Sequence, residues 1–294
     1  MKTNTLLVLL LLSAPQMWAQ NSSFDYFGLE RPGTDPQAFN PSVLEMEGSF
    51  IFNAMFTPDG QEFYYSKIDE KENMYCSKRV NGVWQAPSLA PFSVPEYHDV
   101  DPFFARGGDR IYFVSSRPID AEDTNYDYNI WFADRVGKGW GTPQPLPAPF
   151  NTDHQEYFFS ISDRGNAFFA SNRPGGLGSF DIYQLSILED GSLTDPVNFS
   201  APVNTAGYEF DPYISPDEQF MLFSIYDQSG TCDLFFSYQT KADGWSKAIN
   251  LGNTINTSGD DFAPSLTPDH KYLIYTNEGK LHWVSVELLE TLKE

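Results

Sequence analysis

The chain is short of cysteine, histidine and positive charge. Its 294 residues hold two Cys, four His, and 18 Lys and Arg against 40 Asp and Glu, for a net charge of −22. That imbalance excludes nucleic acid as a partner and repels anionic membrane surfaces. Two cysteines, Cys76 and Cys232, are too few for a disulfide scaffold. The histidines, His98, His154, His270 and His282, show no His-x-His or His-x-x-x-His spacing, so the usual metal-ligand signature is missing. His98 and His154 occupy related positions beside acidic residues, and read as surface residues of links. There is no Gly-x-Ser-x-Gly elbow and no long α/β segment for a hydrolase domain. The stretch Gly175-Gly176-Leu177-Gly178 lacks the Lys and helix of a phosphate loop and reads as a turn.

Long apolar runs are missing too, save one. Leu6 to Leu12 is unbroken Leu and Val, too short to cross a bilayer. It follows Lys2 and precedes the small residues Ser13, Ala14 and Ala19, which is the pattern of a secretory signal peptide over residues 1–19. The mature chain is then expected to begin near Gln20, with an extension over 20–37. No Cys follows the run, so no lipoprotein anchor is expected. The expected location is the periplasm or the exterior, with no transmembrane segment.

Aromatic residues, in contrast, are abundant: 25 Phe and 16 Tyr, with 21 Gly and 21 Pro scattered between them. This composition favours short strands joined by many turns. Self-similarity organises them. Glu209-Phe-Asp211-Pro-Tyr-Ile-Ser-Pro-Asp217 matches Asp99-Val-Asp101-Pro-Phe-Phe, Asp261-Phe-Ala-Pro-Ser-Leu-Thr-Pro-Asp269 and Phe52-Asn53-Ala-Met-Phe-Thr-Pro-Asp59-Gly60. Glu156-Tyr-Phe-Phe-Ser-Ile-Ser-Asp163 is a more divergent copy. Each copy precedes an aromatic second strand, such as Phe220-Met-Leu-Phe-Ser224, and a third, such as Asp233-Leu-Phe235. A Gly turn then opens a fourth at Trp84, Trp140, Leu193 or Trp245. Three links carry Asn-Thr five residues before the acid: Asn151-Thr152, Asn204-Thr205 and Asn256-Thr257.

A unit of ~50 residues with four short strands predicts a propeller blade. The fold expected is all-β: one five-bladed β-propeller of four-stranded antiparallel blades over residues 38–290, or six blades if the N-terminal region hides a degenerate one. The fifth repeat has only three strands, so residues 38–44 are expected to supply its fourth and close the ring. Cys76 and Cys232 then fall in non-adjacent blades, too far apart to pair, and two buried free thiols are predicted. Trp84, Trp140, Trp245, Trp131 and Trp283 recur at repeat positions and read as core.

The acids at the inner-strand starts are the candidate site: Asp99, Asp101, Glu156, Glu209, Asp211 and Asp261, with Asp260 beside them. Inner strands line a propeller's channel, so these carboxylates can crowd one mouth, raising a pKa or recruiting calcium. The structural reading is that they accept backbone N–H bonds or pair with Arg117 or Arg173 of a neighbouring blade. Recurrence in most blades favours that reading over catalysis, which uses singular residues. Paired carboxylates for glycoside cleavage, from Asp101, Glu156 and Asp211, are the enzymatic alternative.

The Thr-Pro-Asp-Gly and Ser-Pro-Asp turns followed by an aromatic strand resemble PD40 repeats, also called WD40-like or TolB-like. The segment Ser171-Asn-Arg-Pro-Gly-Gly-Leu-Gly-Ser-Phe-Asp-Ile-Tyr183 is similar to such repeats in envelope proteins of Bacteroidetes-type bacteria. The resemblance covers residues 40–286. It implies the propeller fold; the absence of a singular catalytic signature beside a complete propeller points to a monomeric binding or scaffolding module without catalytic residues or cofactor, whose partner is an envelope protein, peptide or glycan. The alternatives are a glycan-active hydrolase or lyase, and a calcium-dependent binding protein.

Overall fold

The computed structural model describes residues 24–293 apart from 126, 200–202, 228–229 and 242–243. The expected signal peptide lies outside the described residues. Five antiparallel sheets follow one another along the chain and form a five-bladed propeller. Blade one is Phe50–Phe56, Glu62–Ile68, Glu72–Val80 and Ser88–Leu89. Blade two is Asp99–Phe104, Arg110–Ser115, Asn129–Val136 and Gln144–Pro145. Blade three is Glu156–Ile161, Asn166–Ser171, Asp181–Ser186 and Val197–Asn198. Blade four is Tyr208–Ile214, Phe220–Tyr226, Cys232–Tyr238 and Ile249–Asn250. Blade five is Asp261–Leu266, Tyr272–Asn277, Lys280–Ser285 and, from the other end of the chain, Gln37–Ala38.

The ring therefore closes as expected, through pairing of Gln37 with Trp283 and Ala38 with His282. The closing strand starts one residue earlier than anticipated and is short, because Ser42–Leu44 turns into a 3-10 helix. Side chains do the rest. Phe39 is fully buried among Phe56, Phe63 and Trp283, and Tyr26 and Phe27 pack beside it, with Phe27 stacked on Trp84 at 4.1 Å. Residues from Phe24 onward are thus part of the packed body.

The outermost strands begin later than the Gly-Trp signal suggested. Trp84 and Trp140 lie on two-residue ladders with Arg79 and Arg135 at the tip of the third strand, while Leu193 and Trp245 make single bridges. Pro87, Pro143 and Pro196 then interrupt pairing in three blades, since proline lacks the N–H a ladder needs. The tryptophans are packing residues: Trp140 Nε1 donates to Tyr64 Oη of blade one at 2.8 Å, and Trp245 packs on Phe199. Cys76 and Cys232 are buried free thiols.

Every inner strand carries a register shift at the same repeat position. The residues there, Asn53, Asp101, Phe158, Asp211 and Ala263, all have positive φ, between 42° and 59°. This left-handed bulge turns the backbone so that one blade bonds to the next. Asn53 Nδ2 donates to Asp101, and the Asp101 amide donates to Ser66 Oγ at 3.1 Å, joining blades one and two. The Glu156 amide donates to the Tyr128 carbonyl at 2.9 Å, joining two and three. Ser160 Oγ donates to the Pro212 carbonyl, joining three and four. The Ala263 amide donates to Asp211 Oδ2 at 3.0 Å, joining four and five, and Ser265 Oγ donates to the Ala54 carbonyl at 2.5 Å, joining five and one. Near one end of the ring the helix Glu287–Glu290 buries Leu288 and Leu289 in the central core. No helix among the described residues is long and apolar enough to cross a membrane.

Candidate ligand site at the channel mouth

The repeated acids divide into two sets. Asp99, Glu156, Glu209 and Asp261 occupy the first position of the repeat and are fully buried inside their own blades. Glu156 accepts from Thr152 Oγ1 at 2.8 Å, Ser171 Oγ at 2.9 Å and Arg173 Nη2 at 3.1 Å. Asp99 accepts from Arg117 Nη2 at 2.7 Å and the Val94 amide at 3.3 Å. Both arginines belong to the same blade as their acid, not a neighbouring one, because each follows the second strand, which pairs with the strand bearing the acid. Glu209 is held by Thr205 Oγ1 at 2.5 Å, and Asp261 by Thr257 and Asn277. Burial pushes all four carboxyls up, and these donors, joined by Arg173 and Arg117 where present, draw them back. These four residues tie blades two to five to the links entering them.

Asp101 and Asp211 sit two positions further on, at the bulge, and line a cavity of about 370 Å³ at the channel mouth. Asp260 and Glu72 join them. Asp101 and Asp211 form its buried floor. Desolvation, with the Asp211 charge nearby, raises the Asp101 carboxyl well above the usual range. Desolvation raises Asp211 to about 6, against hydrogen bonds from Ser224 Oγ at 2.9 Å and the Ala263 amide. Glu72 accepts from Tyr128 Oη at 3.0 Å and lies 3.2 Å from His98 Nδ1. Asp260 is exposed and accepts from the Cys232 amide at 3.0 Å. His154 lies outside this cavity.

The acids were legible as a repeat; the aromatic wall around them was missed. The residue between the two acid positions is Phe52, Val100, Tyr157, Phe210 and Phe262 in blades one to five, and all five line the mouth. Phe50, Tyr128 and Tyr226 widen the ring. Neighbouring rings touch: Tyr128 and Tyr157 lie 5.0 Å apart, Tyr157 and Phe210 6.3 Å, and Phe52 and Phe262 6.5 Å. An aromatic at one repeat position in four of five inner strands was the available signal. Among the described residues no three His, Cys, Asp or Glu side chains gather as a metal ion would need.

No family model matches the chain, and no curated protein does. Solved structures share its fold. TolB from Acinetobacter baumannii superposes with a TM-score of 0.51 at 14% identity, over 79% of this chain and 53% of that one. The α-L-arabinofuranosidase PaAbf62A from Podospora anserina, determined in complex with cellotriose, gives 0.50 at 12% identity over 86% and 93%. The chain spans about half the length of that TolB. At such identities the likeness is one of fold, and TolB-like propellers are among the neighbours.

Proposed function

We propose that this chain is a non-catalytic binding module of the bacterial envelope, exported by its N-terminal leader, which takes a group of a protein or glycan partner at the channel mouth. The observation that carries this reading is the ring of Phe52, Tyr157, Phe210 and Phe262 standing partly exposed over a carboxylate floor. Partly exposed rings clustered in a concave site are unusual for a surface without a ligand. The resemblance to PD40 repeats of Bacteroidetes-type envelopes supports the location.

The second reading is glycan cleavage. Two raised carboxyls, Asp101 and Asp211, share the floor, and such cleavage uses a pair of carboxylates. Against it, both side chains are engaged in joining blades.

The test is a peptide and glycan array probed with the mature chain and with a Phe52→Ala/Phe210→Ala variant. Binding that falls about tenfold or more in the variant supports the mouth as the site. Binding unchanged by the variant places the site elsewhere. Sugar release by the wild type that is lost in Asp101→Asn replaces the binding reading with the enzymatic one.

A further inference from the structure

We propose that the group received at the mouth is an organic cation, an alkylammonium or guanidinium such as a lysine or arginine side chain carries. This inference rests on the reading of the mouth as a ligand site.

The argument starts from hydrogen-bonding inventory. The lining offers acceptors: the carboxylates of Glu72, Asp211 and Asp260, and the carboxamide oxygen of Asn53; the Asp101 carboxyl, raised by burial beside Asp211, joins them once ionised. Asn53 is 4% exposed, its Nδ2 donates to Asp101, and its buried Oδ1 has no partner among the described residues. Donors are scarce. The lining contains no Lys, Arg or His. The Tyr128 hydroxyl is spent on Glu72, the Tyr157 hydroxyl on Gln155 Oε1 at 2.6 Å, and the Cys232 amide on Asp260, which leaves the Tyr226 hydroxyl and the weakly donating Cys232 thiol. A sugar hydroxyl needs acceptors and donors together, and an anion needs donors alone; a wall with four carboxyl groups against one hydroxyl and one thiol favours a ligand that only donates. Ammonium and guanidinium groups carry donors and no acceptor.

The apolar part of the wall selects further. A bare metal ion gains nothing from Phe52, Phe210 and Phe262, whereas an organic cation presents methylenes to the rings and charge to their faces. The charge of the whole chain, −22, raises the local concentration of cations.

The test is calorimetric titration of the mature chain with Nα-acetyl-arginine methylamide, Nα-acetyl-lysine methylamide and spermidine. The uncharged citrulline and Nε-acetyl-lysine counterparts and a neutral cello-oligosaccharide serve as controls. The charged probes are expected to bind about tenfold or more tightly than their neutral partners, and to weaken as salt rises. Glu72→Gln and Asp260→Asn, at accessible side chains, are expected to weaken them several-fold with an unchanged melting temperature. Tighter binding of an arginine peptide than of spermidine identifies a peptide side chain as the source; the reverse identifies a free amine, and either outcome supports the cation. Equal binding of citrulline and arginine probes overturns the inference. So does binding of the oligosaccharide alone, lost in Phe52→Ala/Phe210→Ala, which keeps the mouth as a site. No binding of any probe, with array hits indifferent to that double variant, overturns both readings.

Discussion

Asn256 clasps both backbone polar groups of Leu234. The Leu234 amide donates to Asn256 Oδ1 at 2.9 Å, and Asn256 Nδ2 returns a bond to the Leu234 carbonyl at 3.0 Å. Asn204 holds Ile182 in the same way at 2.9 and 2.8 Å, and Asn151 holds Ile130 at 2.8 and 2.9 Å. One side chain from the link thus fixes the third strand of the blade it has just left. The Asn-Thr pair of each link has divided labour: Asn grips the blade behind, Thr the acid of the blade ahead.

Replacing Asn151 by Ala strands buried backbone groups of Ile130 and Leu146, which the side chain otherwise satisfies. The expected loss is about 2–4 kcal/mol, given about 1–3 kcal/mol per unsatisfied buried group. Thermal melting should show a drop of roughly 5–15 °C. An unchanged midpoint would mean that water takes over the clasp.

The buried acids should respond differently to neutralisation. Glu156→Gln leaves the mostly buried Arg173 without its counter-charge, and is expected to cost about 3 kcal/mol. Glu209 has no arginine, and its Oε2 has no partner among the described residues. Glu209→Gln is expected to be neutral or stabilising at pH 7, because it removes a poorly compensated buried charge. Equal losses in urea unfolding of the two variants would refute the distinction.

Stability should fall as pH rises through the window set by Asp211. Its carboxyl is raised from 3.8 to about 6 in the folded chain. The folded state therefore binds the proton more tightly than the unfolded one. The resulting stability is fully present below pH ~4 and lost as pH rises through ~6, a swing of about 3 kcal/mol at ~1.4 kcal/mol per unit. Asp101 is shifted in the same direction. Asp211→Asn keeps an acceptor for Ser224 and Ala263 and should flatten the profile between pH ~4 and ~6. A profile as steep as the wild type's would assign the dependence to other groups.

Ring closure should lean on Phe39. Gln37–Ala38 pairs over two residues only, and the fully buried Phe39 packs on Phe56, Phe63 and Trp283 at the seam. Phe39→Ala is expected to cost about 3–5 kcal/mol. Limited proteolysis should then cut first near residues 24–45. Cutting elsewhere would show that the two-residue pairing suffices.

The five repeats, the closing segment and the separated cysteines were legible because each rests on local pattern: turn residues, aromatic strands and spacing. The candidate site was only half legible. Simple alternation puts Asp99 and Asp101, or Glu209 and Asp211, on one face, and so one set of channel carboxylates was expected. The left-handed bulge at Asp101 and Asp211 breaks the alternation. It leaves the first acid inside the blade and sends the second to the floor of the mouth. The aromatic ring escaped notice because each member resembles ordinary strand core until five blades bring them to one axis.

By itself, then, the sequence determined the blade, the closure and the acidic character, and narrowed the count to five or six, all consequences of short-range periodicity and composition. Tertiary structure alone decided which carboxylates are buried inside a blade and which line the channel mouth. That choice depends on a bulge that reverses side-chain direction, and on contacts between residues as distant as Asn53, Asp101, Asp211 and Phe262, which meet only when the ring is closed.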